Sequence, residues 1–157
     1  MAAYKFGKII ALADFFAAKI HEVISNSVIH DFPELQDAVI VPVPPRPGKI
    51  KDSGWDQIEH LLKRLKKNPG CLSVMRCLGR KKSKAQKQLS RAERLENLKG
   101  RIFLKNNFAS KISGGSSVQA FILIDDVITT GSTIEECAAV LKKAGAKKVY
   151  GICLFYD

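Results

Sequence analysis

The most informative segment of the chain covers residues 121–133 and reads FILIDDVITTGST. Its apolar first half predicts a buried strand that ends at Asp125 and Asp126. Small polar residues follow, and apolar residues then recur at helical spacing from Ile134 to Ala144, where Gly145 ends the pattern. The segment is therefore predicted to fold as a strand, a tight loop and a helix.

The order of these residues predicts a binding site for a phosphorylated sugar. Backbone N–H groups at a helix N-terminus favour an anion, and glycine allows the chain to approach that anion closely. We define the phosphate loop as Thr129, Thr130, Gly131, Ser132 and Thr133. Asp125 and Asp126 repel the same anion, so they suit the hydroxyl groups of a ribose or a hydrated Mg²⁺. Helix capping and loop polarity would explain each part separately, but not the unbroken order of all of them.

The remaining segments alternate between helical and extended patterns. Amphipathic helices are predicted for residues 4–24 and 54–65, the second capped by Asp52 or Ser53. Strands are predicted for residues 38–43, 72–78, 102–104 and 148–155, and a Gly/Ser-rich surface turn for residues 110–117. This alternation predicts one α/β domain over residues 1–157, with a parallel central sheet covered by helices on both faces. Ligands of such sheets bind beyond the carboxyl ends of the strands.

The net charge of the chain favours an anionic partner. The 26 Lys and Arg residues exceed the 15 Asp and Glu residues, which gives a formal charge of +11. A nucleotide, pyrophosphate, a nucleic acid or an acidic membrane surface would complement this charge. No window approaches the roughly 18 consecutive apolar residues of a membrane span, and the N-terminus lacks the pattern of a secretory signal. We therefore expect a cytoplasmic protein with no membrane partner.

The cysteines and histidines show no spacing that is typical of a metal site. The four cysteines are therefore predicted to be reduced, buried thiols: Cys71, Cys77, Cys137 and Cys153. The three histidines are assigned no role: His21, His30 and His60. Trp55 is predicted to pack in the core of the domain instead of stacking on a base.

Residues 121–133 resemble the phosphoribosyl pyrophosphate motif of the type I phosphoribosyltransferases. The resemblance implies a three-layer fold with a small hood, and phosphoribosyl pyrophosphate or a nucleoside monophosphate as the ligand, with Mg²⁺ as the cofactor. It also implies that Asp125 and Asp126 bind the ribose diol as catalytic residues, while the phosphate loop binds the 5′-phosphate. Thr129 stands where purine-type members have an Asp, so the resemblance does not favour the interpretation of this chain as a purine salvage enzyme.

A larger part of the chain, residues 39–154, resembles the ComF family of competence-associated proteins. Residues 41–44 are similar to its pyrophosphate-loop strand, and residues 54–57 resemble its R-G-aromatic-N-Q turn, with Ser53 in place of the Arg and Asp56 in place of the Asn. The resemblance assigns pyrophosphate contacts to a loop that contains Pro44, Arg46, Lys49 and Lys51. Many longer members carry a four-cysteine zinc module at the N-terminus, where this chain has a predicted helix without cysteines.

Residues 80–101 form a strongly basic excursion whose role is open between two interpretations. Ser90 and Glu93 have the spacing of a capping box, which predicts a short helix over residues 91–98. The first interpretation is a nucleic-acid-binding face. The second is a mobile hood that closes over pyrophosphate, and it is favoured because Gln86, Arg94 and Asn97 keep the spacing of the ComF family. In that case Arg94 is a catalytic cation that stabilises the leaving group.

These observations predict a phosphoribosyltransferase that uses Mg²⁺ and transfers phosphoribose to a nitrogenous base. One alternative is an accessory protein of nucleotide sensing or DNA uptake that keeps the pocket with little catalysis. Another is a nucleic-acid-binding protein on the same fold, whose affinity would fall steeply with salt. The apolar N-terminal helix offers a face for a homodimer.

Overall fold

The computed structural model describes residues 11–48, 56–82, 100–113 and 120–157. The helices are α1 (Ala11–His30), α2 (Gln57–Leu65), α3 (Ala109–Ser113) and α4 (Ser132–Lys143). The strands are β1 (Val39–Pro42), β2 (Leu78–Arg80), β3 (Ile102–Leu104), β4 (Ala120–Ile128) and β5 (Lys148–Tyr156). Short 3₁₀ turns lie at Pro33–Asp37 and Asn106–Phe108. Across these ranges, no helix combines the length and apolar character needed to cross a membrane.

The central sheet is parallel and has the strand order β1-β4-β5. Val39 pairs with Phe121, and Ala120 pairs with Lys148, so β4 lies between two parallel neighbours. Ile40 also forms an isolated parallel bridge to Val74 on the other edge of β1. β4 is buried on both faces because other elements pack on both sides of the sheet, which explains why the strand begins with an uninterrupted apolar run.

Successive residues of β4 contribute to two separate hydrophobic cores, because side chains alternate between the faces of a strand. One core packs α1 and α2 against the sheet, through residues such as Ile20, Leu61 and Ile122. The other packs α4 and the β2–β3 hairpin against the opposite face, through residues such as Leu141 and Phe121. The sheet is therefore the middle of three layers, and the predicted α/β fold with helices on both faces is confirmed.

The β2–β3 hairpin covers the face of the sheet that carries α4. Leu78 pairs with Leu104 and Arg80 with Ile102 in antiparallel register. Gly79 leaves room for the Phe103 ring, because a Cβ on Gly79 would come within 2.4 Å of a ring carbon. The Gly100 amide donates to a carboxylate oxygen of Glu136 at 2.7 Å, which ties the start of β3 to α4. The chain thus enters the basic excursion at residue 80 and returns from it at residue 101, both beside α4.

The helix predictions need two corrections in their bounds. The first helix continues to His30, beyond the predicted end at residue 24, and Val23 is exposed although the pattern placed it on the apolar face. The second helix begins at Gln57 with Asp56 as its cap, so neither Asp52 nor Ser53 caps it. The physical reason is that the Asp56 carboxylate accepts from the amides of Ile58 and Glu59, at 3.0 and 3.3 Å.

The strand predictions also differ from the structure in places. β4 continues past the two aspartates to Ile128, because Val127 and Ile128 pair with the last residues of β5. The predicted strand at residues 72–78 is replaced by one bridge at Val74, and the strand of this region, β2, begins only at Leu78. Of the predicted surface turn at residues 110–117, residues 110–113 belong to α3 and the others lie outside the described residues. The predicted strands at residues 38–43, 102–104 and 148–155 are confirmed within one residue.

Several predictions fall on residues outside the described ranges. They concern Lys49, Lys51, Asp52, Ser53, Trp55, the helix over residues 91–98, and the hood residues Gln86, Arg94 and Asn97. The start of the first predicted helix also lies outside the described residues.

Candidate functional site

The carboxylates of Asp125 and Asp126 lie where β4 leaves the core. Residues 120–124 of the strand are buried, whereas both aspartates are partly exposed. Because the two residues are consecutive on a strand, their side chains extend toward different layers. Asp126 contacts α2, and the charge of Asp125 acts on groups of α4 and the β2–β3 hairpin. The two carboxylates therefore have different surroundings, although the sequence presents them as a pair.

Asp126 is held by Gln57, the first residue of α2. The Gln57 side-chain amide donates a short hydrogen bond to Oδ2 of Asp126. Gln57 is 1% exposed, which makes it one of the two buried polar residues among those described. A buried amide seldom remains unless it is hydrogen-bonded, so the contact sets the orientation of the Asp126 carboxylate. Asp56, as the N-cap, starts the helix at Gln57 and so places the Gln57 side chain for this contact.

Asp125 accepts a hydrogen bond from the amide of Asp126 at 2.8 Å. Burial raises the pKa of two nearby thiols, and the negative charge of Asp125 raises it further. The pKa of Cys137 in α4 is raised to about 12, and that of Cys153 in β5 to about 11. Asp125 also lies within electrostatic range of Arg80 at the end of β2. The Asp125 carboxylate thus faces the layer formed by α4 and the hairpin.

The phosphate loop forms a small open cleft between the end of β4 and the start of α4. Its lining comprises Asp125, Val127, Ile128, the five residues of the phosphate loop and Ile134. Gly131 has φ +77°, a conformation that glycine adopts without strain. The hydroxyls of Thr130 and Ser132 are 2.8 Å apart and hydrogen-bonded, and Ser132 is buried. The first amides of a helix have no intrahelical acceptor, so the start of α4 favours an anion in this cleft.

The pyrophosphate loop of the sequence analysis is described only up to residue 48. Pro44 is buried and Arg46 is exposed. The Val43 amide donates to the Ile124 carbonyl at 3.0 Å, so this loop leaves the sheet next to the two aspartates. Arg46 is close enough to Arg80 for its charge to lower the pKa of Arg80. The structure therefore brings Pro44, Arg46, the aspartates and the phosphate loop to one edge of the sheet.

Sequence reasoning missed the contact of Gln57 with Asp126 and the partial burial of the Arg80 side chain. Gln57 was visible as part of the turn that resembles the ComF motif, but its partner Asp126 is distant in the sequence. Arg80 was one cation among many in the basic excursion. Its burial depends on how the hairpin packs, and no local pattern carries that information.

The four cysteines are all free thiols, as expected. Cys77 and Cys137 are buried, whereas Cys71 and Cys153 are partly exposed, so the prediction of burial holds fully for two of them. Within the described ranges no group of three or more His, Cys, Asp or Glu residues converges to hold a metal ion.

Comparison with known proteins adds three findings. A family model described as "Phosphoribosyl transferase domain" matches residues 58–157. Competence protein ComFC of Streptococcus pneumoniae (strain ATCC BAA-255 / R6) is 28% identical over 136 residues, which are 87% of this chain and 54% of ComFC. The chain thus spans about half the length of this curated relative. Among solved structures, the allosteric regulatory enzyme of purine biosynthesis aligns with a TM-score of 0.42 at 18% identity, covering 74% of this chain and 22% of that one.

Proposed function

Because the chain belongs to the phosphoribosyl transferase domain family, we propose that it binds phosphoribosyl pyrophosphate and transfers the phosphoribosyl group to a nitrogenous base. One observation carries the proposal: two carboxylates and a helix N-terminus with a hydroxyl-rich loop meet at the carboxyl end of the central strand. A ribose 5-phosphate unit has complementary chemistry, with a diol at one end and a dianion at the other.

In this proposal each part of the site holds one part of the ligand. The phosphate loop binds the 5′-phosphate through backbone amides and hydroxyl groups at the start of α4. Asp126, oriented by Gln57, accepts hydrogen bonds from ribose hydroxyls, and Asp125 stabilises positive charge on the sugar. The bond between C1 and the diphosphate oxygen breaks, and its electron pair leaves with diphosphate. A ring nitrogen of the base then donates its lone pair to C1, and the proton of that nitrogen passes to the departing diphosphate.

Mg²⁺ fits the donor chemistry of this site. The ion usually takes one or two carboxylates together with phosphate oxygens and water, and Asp125 and Asp126 supply such carboxylates. When bound, it would neutralise charge on the diphosphate. The other contributions to catalysis are positioning of the ligand and electrostatic stabilisation, both supplied by residues of the chain.

A second candidate function is that of a nucleotide-responsive accessory protein in DNA uptake. It keeps the ligand site without appreciable turnover, and the similarity to a protein named for competence favours it. Nucleic acid would then be a partner, consistent with the formal charge of +11. For either function we propose a cytoplasmic setting, which the reduced cysteines fit.

Thermal unfolding with and without ligand, followed by a diphosphate-release assay, tests the proposal. With Mg²⁺ present, phosphoribosyl pyrophosphate at a hundredfold excess over its Kd should stabilise the fold by about 2.7 kcal/mol. Diphosphate release with a panel of bases then separates an enzyme from a ligand-responsive module. The absence of a shift with phosphoribosyl pyrophosphate, ribose 5-phosphate and nucleoside monophosphates alike would refute the proposed site.

A further inference from the structure

The outward face of α1 exposes large apolar side chains. The opposite face of the helix packs in the core through Ala17, Ile20 and Ile24. Phe15 and Ile29 lie on the outward face, where their exposed fractions are 56% and 73%. Single exposed apolar residues are normal on protein surfaces, so exposure alone does not indicate an interface. The spacing of these two residues along the helix does.

Phe15 and Ile29 belong to one stripe along the helix, which we call the α1 seam. Its members follow each other at alternating steps of three and four residues: Phe15, Ala18, Glu22, Ser25 and Ile29. This spacing keeps side chains facing a single partner helix. Ser25 is partly exposed, and the other four residues are exposed. Large and small side chains alternate along the seam, which allows it to be complementary to a second copy of itself.

An antiparallel second copy matches the large residues of the seam with small ones. When the two-fold axis passes the helix at the level of Ile20, Phe15 of each copy lies opposite Ser25 of the other copy. In the same register Ala18 lies opposite Glu22. Packing a large side chain against a small one lets two helices approach closely without a clash. The order of residues in the seam therefore favours an antiparallel arrangement.

A groove beside Ser25 provides room for the aromatic ring of Phe15 from the second copy. The groove has a volume of about 430 Å³, and its apolar walls include Ile24 and Val28. Among the described residues that line it there is no Lys, Arg, Asp or Glu. The ring of Phe15 already packs edge-on against Phe16, with the centroids 5.5 Å apart. Because this contact restricts the ring before binding, little conformational freedom is lost when the ring enters a groove.

The charges at the centre of the seam are balanced. Lys19 and Glu22 form an ion pair within the helix, with Nζ and Oε2 2.7 Å apart. The antiparallel register brings two copies of this pair together at the two-fold axis, so two positive and two negative charges meet there. Oppositely charged groups at such positions set the orientation and register of paired helices. A neutral contact also suits a chain whose formal charge of +11 makes most other surfaces repel each other.

We propose that the α1 seam is a homodimer interface, on which α1 of a second copy packs in antiparallel orientation. The sequence pattern indicates α1 as a dimer face, and the structure restricts that face to the seam because the other side of the helix packs in the core. The inference is independent of the proposed function, since α1 and α4 cover opposite faces of the sheet. Two helices in contact along one stripe bury less than the standard interface of about 1,600 Å², so we expect a Kd in the micromolar range.

Sedimentation equilibrium from micromolar to millimolar protein concentration measures the Kd of the dimer. Ile29→Asp puts a charge into the apolar contact and should raise this Kd at least about tenfold. Val23→Asp is the matched control, because Val23 is 50% exposed on the same helix, lies outside the seam and receives the same side chain. It should change the Kd less than about twofold. Thermal unfolding at a concentration where the wild type is monomeric should give similar Tm values for both variants.

Reversal of the charges at the two-fold axis tests the antiparallel register. Lys19→Glu places four negative charges at the axis and should weaken the dimer at least about tenfold. Adding Glu22→Lys restores two charges of each sign, so the double variant should return to within about threefold of the wild-type Kd. A wild type that stays monomeric at millimolar concentration, or equal effects of Ile29→Asp and Val23→Asp, would overturn the interface. A double variant that dimerises no better than Lys19→Glu would overturn the register and with it the proposal.

Discussion

Replacing Gln57 with Met tests whether the buried contact between α2 and β4 orients the carboxylate of Asp126. Methionine keeps the unbranched shape and approximate volume of glutamine but cannot donate to the carboxylate. Loss of a hydrogen bond to a charged, partly buried acceptor costs about 1.5–3 kcal/mol. For a chain of this size each kcal/mol lowers Tm by about 2–4 °C. We therefore expect Gln57→Met to lower Tm by several degrees, and Gln36→Met, at an exposed position, to leave it nearly unchanged.

The same variant should separate recognition of the ribose from recognition of the phosphate. With Asp126 no longer held in place, ribose 5-phosphate should bind about tenfold more weakly, which corresponds to about 1.4 kcal/mol. Inorganic phosphate occupies only the phosphate loop, so its Kd should change less than about twofold. Isothermal titration calorimetry measures both constants. Unchanged Tm and unchanged ribose 5-phosphate affinity would refute the role assigned to Gln57, and an equal loss for both ligands would show that the whole site has been disturbed.

Three further predictions follow from other parts of the chain. Gly131→Ala places a side chain at φ +77°, so it should cost about 1–2 kcal/mol in urea unfolding and weaken phosphate binding. The hydrogen bond from Lys148 is the main reason that the pKa of Glu34 is lowered to about 2, so Glu34 contributes stability above its ordinary pKa that is lost as the pH falls toward 2. The difference in urea midpoint between the wild type and Glu34→Gln should therefore shrink over that range. A constant difference would contradict this prediction. Arg94→Ala should reduce diphosphate release and leave DNA affinity nearly unchanged if residues 80–101 act as a hood, whereas a weaker, less salt-dependent DNA affinity with catalysis intact would favour a nucleic-acid face.

The central part of the fold was predictable because the sequence pattern that determines it lies within one continuous segment. An apolar strand, a turn of small polar residues and a periodic helix occur in order between residues 120 and 143, and the structure forms β4, the phosphate loop and α4 there. The two-faced core was also predictable, since a strand without polar alternation has to be covered on both sides. Here the sequence pattern and the packing depend on the same residues.

The arrangement around the aspartates was not predictable in this way. The length of β4 depends on pairing with β5, which extends the strand to Ile128. The bond from Gln57 to Asp126 joins α2 to a strand that is distant in the sequence, and the burial of Arg80 follows from packing of the hairpin on α4. Such contacts arise from tertiary structure, and a single sequence without aligned relatives contains no periodicity that reveals them. The opposite directions of Asp125 and Asp126 could have been inferred from the alternation of a strand that continues past both.

The most direct test of the proposed site is calorimetric titration of the wild type and of the double variant Asp125→Asn, Asp126→Asn with three ligands in the presence of Mg²⁺. The ligands are phosphoribosyl pyrophosphate, ribose 5-phosphate and inorganic phosphate. We predict that the wild type binds all three, and that the double variant loses at least about tenfold in affinity for the two ribose ligands, or about 1.4 kcal/mol. Its affinity for inorganic phosphate should not decrease, because the phosphate loop is intact and two repelling charges are gone. Equal losses for all three ligands, or no binding of phosphoribosyl pyrophosphate by the wild type, would contradict the account.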